Sequence, residues 1–227
     1  MRLGFADAGV LRSTGECIAL LDRDLVIRIP RVRAGFLAGL CLLRGRVLAA
    51  PKTQDIRPTT DRTRQAVFNV IAHSWPEALA GTKVLDLFAG TGALGFEALS
   101  RGAASCLFVD DGAQARGLIR ENAEVLSLQG RIKIFRRNAA DLGLAGSFGP
   151  FELCFADPPY GRGLGSAALR AAAIGGWLAP GALCMVEEKA NAPFDPGADF
   201  SEIDRRAYGE TVIRFLTFTP QDRRNGG

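Results

Sequence analysis

A single histidine in 227 residues closes off much of the usual acid–base, nucleophilic and metal-centred chemistry. His73 stands alone and is expected near a helix end, and the sequence offers no Ser/His/Asp or Cys/His nucleophile set to defend. The five cysteines, Cys17, Cys41, Cys106, Cys154 and Cys184, show no C-x-x-C or other paired spacing. Three of them fall in apolar runs that read as buried strands, where a thiol behaves as a small hydrophobe. The pattern points to a reducing, cytoplasmic setting, with neither a disulfide framework nor a metal site. Long apolar runs are lacking too. Residues 34–43 form a stretch of about ten, too short to cross a bilayer, and no small-residue cleavage site follows it. No membrane partner is expected.

What is present is an ordinary globular composition, 48% apolar and 23% charged, long enough for one sizeable α/β domain with a small appendage. The net charge of +4 is unevenly spread. Residues 1–65 hold 12 Lys/Arg against 6 Asp/Glu, and the remainder holds 16 against 18. Nearly all the front-end positive charge is arginine, which contacts phosphate bidentately and stacks on bases. A basic arm on a near-neutral body suits an enzyme acting on nucleic acid. An arginine-rich soluble chain with no such partner would share the composition.

Chemistry concentrates in two motifs. Asp157-Pro158-Pro159-Tyr160 ends the apolar run Phe151–Ala156. Proline fixes φ and restricts the residue before it, so Asp157 is held extended in a stiff corner. The corner offers a carboxylate, a proline carbonyl and an aromatic ring. Together these suit the holding of an exocyclic amino group on a flat heterocycle, although Pro-Pro alone is an ordinary turn signal. The second motif runs from Val84 to Gly95 and reads as strand, glycine turn and helix start. Gly90, Gly92 and Gly95 match G-x-G-x-x-G, where glycine permits a tight turn and close ligand approach. Asp86 lies four residues before the first glycine. At a pyrophosphate site it would repel the ligand, but it suits a cation such as the sulfonium and amino group of S-adenosylmethionine. A nicotinamide oxidoreductase remains open on the glycines alone, yet leaves residues 157–160 without a task.

Further along, the run Ser105–Val109 ends at Asp110-Asp111. Asp110 is placed to accept both ribose hydroxyls of a nucleoside cofactor, and Asp111 to cap the helix of residues 112–128. After a strand at residues 131–135, Asn138 is placed for an adenine edge or for a turn. Phe88, Ala89 and Ala139, beside these groups, complete the expected cofactor set. Strands and helices alternate through Leu87, Val109, Phe135 and Ala156, followed by a helix near residues 166–174 and a strand at residues 182–187. That rhythm means parallel strands with helical crossovers on both faces. Residues 203–208 and 211–218, split by Gly209-Glu210, read as a closing antiparallel hairpin. Gly90, Asp110, Asn138 and Asp157 each follow a different strand, so an open sheet brings them to one rim.

Ahead of this body, residues 34–48 read as two strands about an Arg44-Gly45-Arg46 turn. Pro58, Thr59, Thr60 and Asp61 signal a helix start, with Ala66, Val67, Val70 and Ile71 on one face. The expected organisation is an extension at residues 1–33, a hairpin and basic lead-in at residues 34–60, a catalytic domain at residues 61–220 and a frayed tail at residues 221–227.

With these residues in place the chain resembles the class I S-adenosylmethionine-dependent methyltransferases, and more narrowly the bacterial 16S ribosomal RNA guanine-N2 methyltransferase family. The resemblance is carried by Arg44-Gly45-Arg46, the run from Ile56 to Asn69, residues 85–95 and Asp157–Tyr160, within about residues 44–218. Residues 1–33 have no counterpart. Asn138 stands where the family usually has Asp, and Asp110 where Glu is common. The resemblance implies a Rossmann-like, mostly parallel sheet with a C-terminal antiparallel hairpin and a small N-terminal hairpin. It implies methylation of one guanine N2, with 16S rRNA or an assembling 30S subunit as partner; nothing in the sequence demands more than a monomer. Asp157, Pro158 and Tyr160 would hold the target amine and base. Arg57, Arg62 and Arg162 are candidates for phosphate or base contacts, with surface ion pairs the alternative for each. Rival readings are an amino-directed DNA methyltransferase acting on adenine N6 or cytosine N4, for which 227 residues leave little sequence-reading surface, and a catalytically silent nucleic-acid-binding module. A glutamine-modifying methyltransferase usually has Asn in place of Asp157.

Overall fold

Five-residue apolar runs bounded by glycine and aspartate become the central strands of a parallel sheet, because both sheet faces are covered and each strand must be apolar on both. The computed structural model describes residues 12–13, 16–22, 25–29, 61–159 and 163–221, with only the backbone given for residues 12–29 and for Asp61 and Arg62. The chain divides into two compact units, Met1–Leu42 and Leu43–Gly227.

In the first unit, β1 (Arg12–Ser13), β2 (Glu16–Asp22) and β3 (Leu25–Ile29) form a three-stranded antiparallel sheet. Strands here were not anticipated, since residues 1–33 show no clear period. The hairpin expected at residues 34–48 lies outside the described residues.

The second unit opens with α1 (Asp61–Ser74). It buries Val67, Phe68 and Ile71, while Ala66 and Val70 are only half-buried. Phe68 meets Phe155 with ring centroids 5.5 Å apart, and burying such a side chain contributes about 1.5–3 kcal/mol. His73 sits exposed in the last turn of this helix. Then follow β4 (Lys83–Leu87), α2 (Ala93–Ser100), β5 (Ser105–Val109), α3 (Ala113–Leu126), β6 (Ile132–Phe135), β7 (Phe151–Ala156), α4 (Leu164–Ile174), β8 (Leu178–Lys189), β9 (Phe200–Tyr208) and β10 (Thr211–Phe218). The seven strands are ordered β6-β5-β4-β7-β8-β10-β9. All neighbours from β6 to β8 are parallel, and β10 runs antiparallel to both β8 and β9. Alternation of apolar side chains gives two core clusters. One packs β-strand residues Val84, Phe108, Phe155 and Met185 under α1, α2 and α3. The other packs Leu85, Val109, Ala156 and Val186 under α4.

One expectation is corrected. The crossover from β6 to β7 holds no regular helix. Gly143 and Gly146 take positive φ there, a conformation that interrupts helices. Its apolar residues Ala139, Leu142 and Ala145 still cover the sheet. The C-terminal hairpin closes the sheet as an antiparallel pair, with its second strand beside β8 and its first as the outer strand. Arg214, buried on β10, donates to Glu202 on β9 at 2.6 Å and lies over the Phe194 ring. Burial alone would raise the Glu202 carboxyl, but the Arg205 and Arg214 guanidiniums outweigh it and hold the group below its ordinary range.

Candidate functional site

Strand order reverses between β4 and β7, and an open α/β sheet binds ligands at that switch point, beyond the carboxyl ends of its strands. A cavity of about 650 Å³ lies there. It is lined by Asp86, Phe88, Ala89 and Gly90 from the β4 end, Asp110 from the β5 end, Asn138 and Ala139 after β6, and Asp157 and Pro158 after β7. The predicted cofactor residues other than Gly92, and two of the three predicted catalytic residues, thus share one cavity. Gly92 is the left-handed N-cap of α2 next to it. Tyr160, Arg162 and Arg57 lie outside the described residues, and Arg62 lies in the first turn of α1.

The turn after β4 is built by backbone geometry that few residues accept. Phe88 has φ 58°, Gly90 55° and Gly92 79°. For a residue as bulky as Phe88 this left-handed conformation costs on the order of 1–3 kcal/mol and is typical of ligand clamps. Gly95 is required for a different reason. A Cβ there would sit 2.3 Å from the Phe108 ring and 2.6 Å from Cys106 Sγ, so even alanine would force β5 away from α2.

Asp86 is 2% exposed and accepts the Gly95 N–H at 2.9 Å. It therefore terminates α2 from the neighbouring strand, where the helix N-terminus favours negative charge. Burial pushes its carboxyl well above the usual range. The Gly95 N–H pulls it back, and the charges of Asp157 and Asp110 raise it further. Asp110 is also raised, chiefly by burial and against the pull of two backbone donors. Its Oδ2 accepts the Gly90 N–H at 2.9 Å and its Oδ1 the Gly112 N–H at 2.8 Å. The N-cap of α3 is Gly112, not Asp111, because Asp110 supplies the carboxylate at that helix start. Asn138 forms a turn, its Oδ1 accepting the Ala140 N–H at 2.9 Å, while still lining the cavity. Cys106 and Cys154 are buried thiols held well above their ordinary values, inert as the sequence suggests.

Several residues of the site were missed. Asn122 on α3 is fully buried and donates to the Thr91 carbonyl at 3.0 Å, bracing the glycine turn. Glu187 at the end of β8, Tyr208 at the end of β9 and Thr211 at the start of β10 also line the cavity. For Glu187 the available signal was an acid closing an apolar strand, as at Asp110. Tyr208 and Thr211 carried none.

The resulting pocket holds the carboxyl groups of Asp86, Asp110 and Asp157, the last two both acting on Asp86. Such a site repels a dinucleotide's phosphates and accommodates a cationic nucleoside.

A profile of the family described as conserved hypothetical protein 95 matches residues 36–217. The chain belongs to this family. It is 39% identical over 147 residues to ribosomal RNA small subunit methyltransferase D of Escherichia coli, covering 64% of this chain and 71% of that protein. The protein of the same description in Haemophilus influenzae is 30% identical over 175 residues, 76% of this chain and 89% of that one. Among solved structures, Escherichia coli yhhF superposes with a TM-score of 0.66 at 32% identity, covering 78% of this chain and 94% of that chain. The sheet is that of the class I methyltransferases, and the chain is a methyltransferase. Among the described residues no helix is long and apolar enough to cross a membrane, and no cluster of potential metal ligands occurs.

Proposed function

We propose that this chain transfers a methyl group from S-adenosylmethionine to the exocyclic N2 of a guanine in 16S ribosomal RNA, working as a cytoplasmic monomer on the RNA or an assembling 30S subunit. The observation that carries the reading is the shared cavity of the Asp157-Pro158 corner and the acidic glycine turn. An amine-holding group thereby faces a site suited to a cationic donor. The descriptions of the relatives as ribosomal RNA methyltransferases support the substrate class.

When bound, S-adenosylmethionine supplies an electrophilic methyl group on a sulfonium. Asp86 and the turn from Phe88 to Gly90 would hold its charged end. Asp110 would accept from the ribose hydroxyls through the lone pairs left by its two backbone donors, and Asn138 and Ala139 would border the adenine. The guanine amine is a poor nucleophile because its lone pair is conjugated with the ring. Asp157 and the Pro158 carbonyl accept its two N–H bonds, turning the lone pair out of conjugation and towards the donor. Pro158 is buried, so this alignment takes place away from water, where orientation and fixed dipoles contribute most. Tyr160 is assigned to stack on the base, which must first leave its own stack. Arg57, Arg62 and Arg162 are assigned to the RNA backbone.

The deciding experiment is transfer of radiolabelled methyl from S-adenosylmethionine to 30S particles lacking the modification, with nucleoside analysis. N2-methylguanosine is the expected product. Label confined to DNA, or recovered as N6-methyladenosine, would overturn the substrate.

A further inference from the structure

The end of β8 places a second carboxylate beside Asp157. In the parallel pair of β7 and β8, Ala156 lies opposite Val186, and the next residue on each chain is Asp157 and Glu187. Adjacent strands are about 4.8 Å apart, so the two acids are neighbours on the rim. Both line the cavity. Glu187 is only 7% exposed, and its cross-strand partner on β10 is the apolar Ile213.

Resting on the guanine-N2 reading above, we propose that Glu187 is a specificity-determining residue that accepts the N1–H of the target guanine. The Watson–Crick edge of guanine carries three N–H donors, two on N2 and one on N1. Asp157, the Pro158 carbonyl and Glu187 are three acceptors at neighbouring strand ends. In adenine and cytosine the ring nitrogen next to the amino group is an acceptor, so a carboxylate there meets a lone pair and repels the base. An ionised carboxylate offers about four lone-pair sites, so this contact is compatible with those Glu187 makes within the protein. Discrimination therefore comes from the β8 end, while Asp157 and Pro158 would serve any exocyclic amine.

The test replaces the target guanine with 2-aminopurine in 16S RNA reconstituted into 30S particles. This base keeps the N2 amine but has an acceptor at N1. The wild-type protein should methylate guanine with a kcat/KM about tenfold or more above that for 2-aminopurine, the scale of a hydrogen bond to a charged group. Glu187→Gln presents an amide that can donate to N1 of 2-aminopurine. It should bring the two substrates to within about threefold or invert them, with S-adenosylmethionine affinity unchanged. Equal use of both bases by the wild-type protein would overturn the assignment without needing a folded variant. So would an unaltered ratio in Glu187→Gln. Failure of the wild-type protein to methylate guanine N2 at all would instead remove the guanine-N2 reading on which the assignment rests.

Discussion

The two halves of the sheet rim are built differently. On the β4–β5 side the site is made of backbone: positive-φ residues, a helix N-terminus, and two acids tied to glycine N–H groups by bonds of 2.9 Å. On the β8–β10–β9 side it is made of side chains, Glu187, Thr211 and Tyr208, projecting from strand ends. Asp157 sits between them. A backbone cradle suits a ligand that is the same in every turnover. Interchangeable side chains suit the component that differs from one enzyme of this fold to another.

Substitutions can break this division. The largest effect is expected at its centre. Asp157→Ala should lower kcat by about 10²–10³-fold, the usual cost of removing one aligned transition-state contact, with S-adenosylmethionine affinity by calorimetry kept within a few fold. Retained methylation would place the amine elsewhere.

On the backbone side, Asp86→Asn should weaken cofactor binding about tenfold or more, as loss of a charge-assisted contact does. Because the folded-state pKa of Asp86 is raised by burial, ionising it costs stability. That cost grows as pH rises from the ordinary value of 3.8 through the raised one. A cation draws on the ionised form, so wild-type affinity should fall as pH drops through the raised value. The Asn variant should lose this acid limb, and without cofactor its melting temperature at neutral pH should match or exceed the wild type. An identical pH profile in both proteins would show that Asp86 does not meet the cation.

The smallest effect belongs to the side-chain half. Tyr208 is 37% exposed, and Tyr208→Ala should raise KM for the RNA particle roughly fivefold, the lower end of base-stacking contributions, while cofactor affinity stays constant. A change in cofactor affinity instead would erase the proposed boundary between the halves.

The same division explains what could be read from the sequence. Gly90, Asp110 and Asp157 were legible because each follows a short apolar run, Asp86 because it precedes the glycines by four residues, and parallel strands bring these positions to one rim. The G-x-G-x-x-G spacing marked the turn, although the packing reason for Gly95, contact with Phe108 and Cys106, needs the partner strand to be seen. Glu187 also closes an apolar run, but Val186-Glu187-Glu188-Lys189 reads equally as the polar end of a strand, so the signal was passed over. Tyr208 and Thr211 became part of the site only because β10 pairs with β8 instead of lying outside β9, and no local pattern specifies that insertion. The helix-free crossover after β6 was misread for a related reason. Its apolar residues cover the sheet as a helix would, without helical backbone.

The insertion of β10 also orders events during synthesis. Among the described strands β9 pairs only with β10, so it has no place in the sheet until residues 211–218 have left the ribosome. The segment from β4 to β6 is contiguous and can close behind the moving chain, whereas the target side waits for residues 211–218. A nascent chain can therefore build its donor cradle well before it can seat a base.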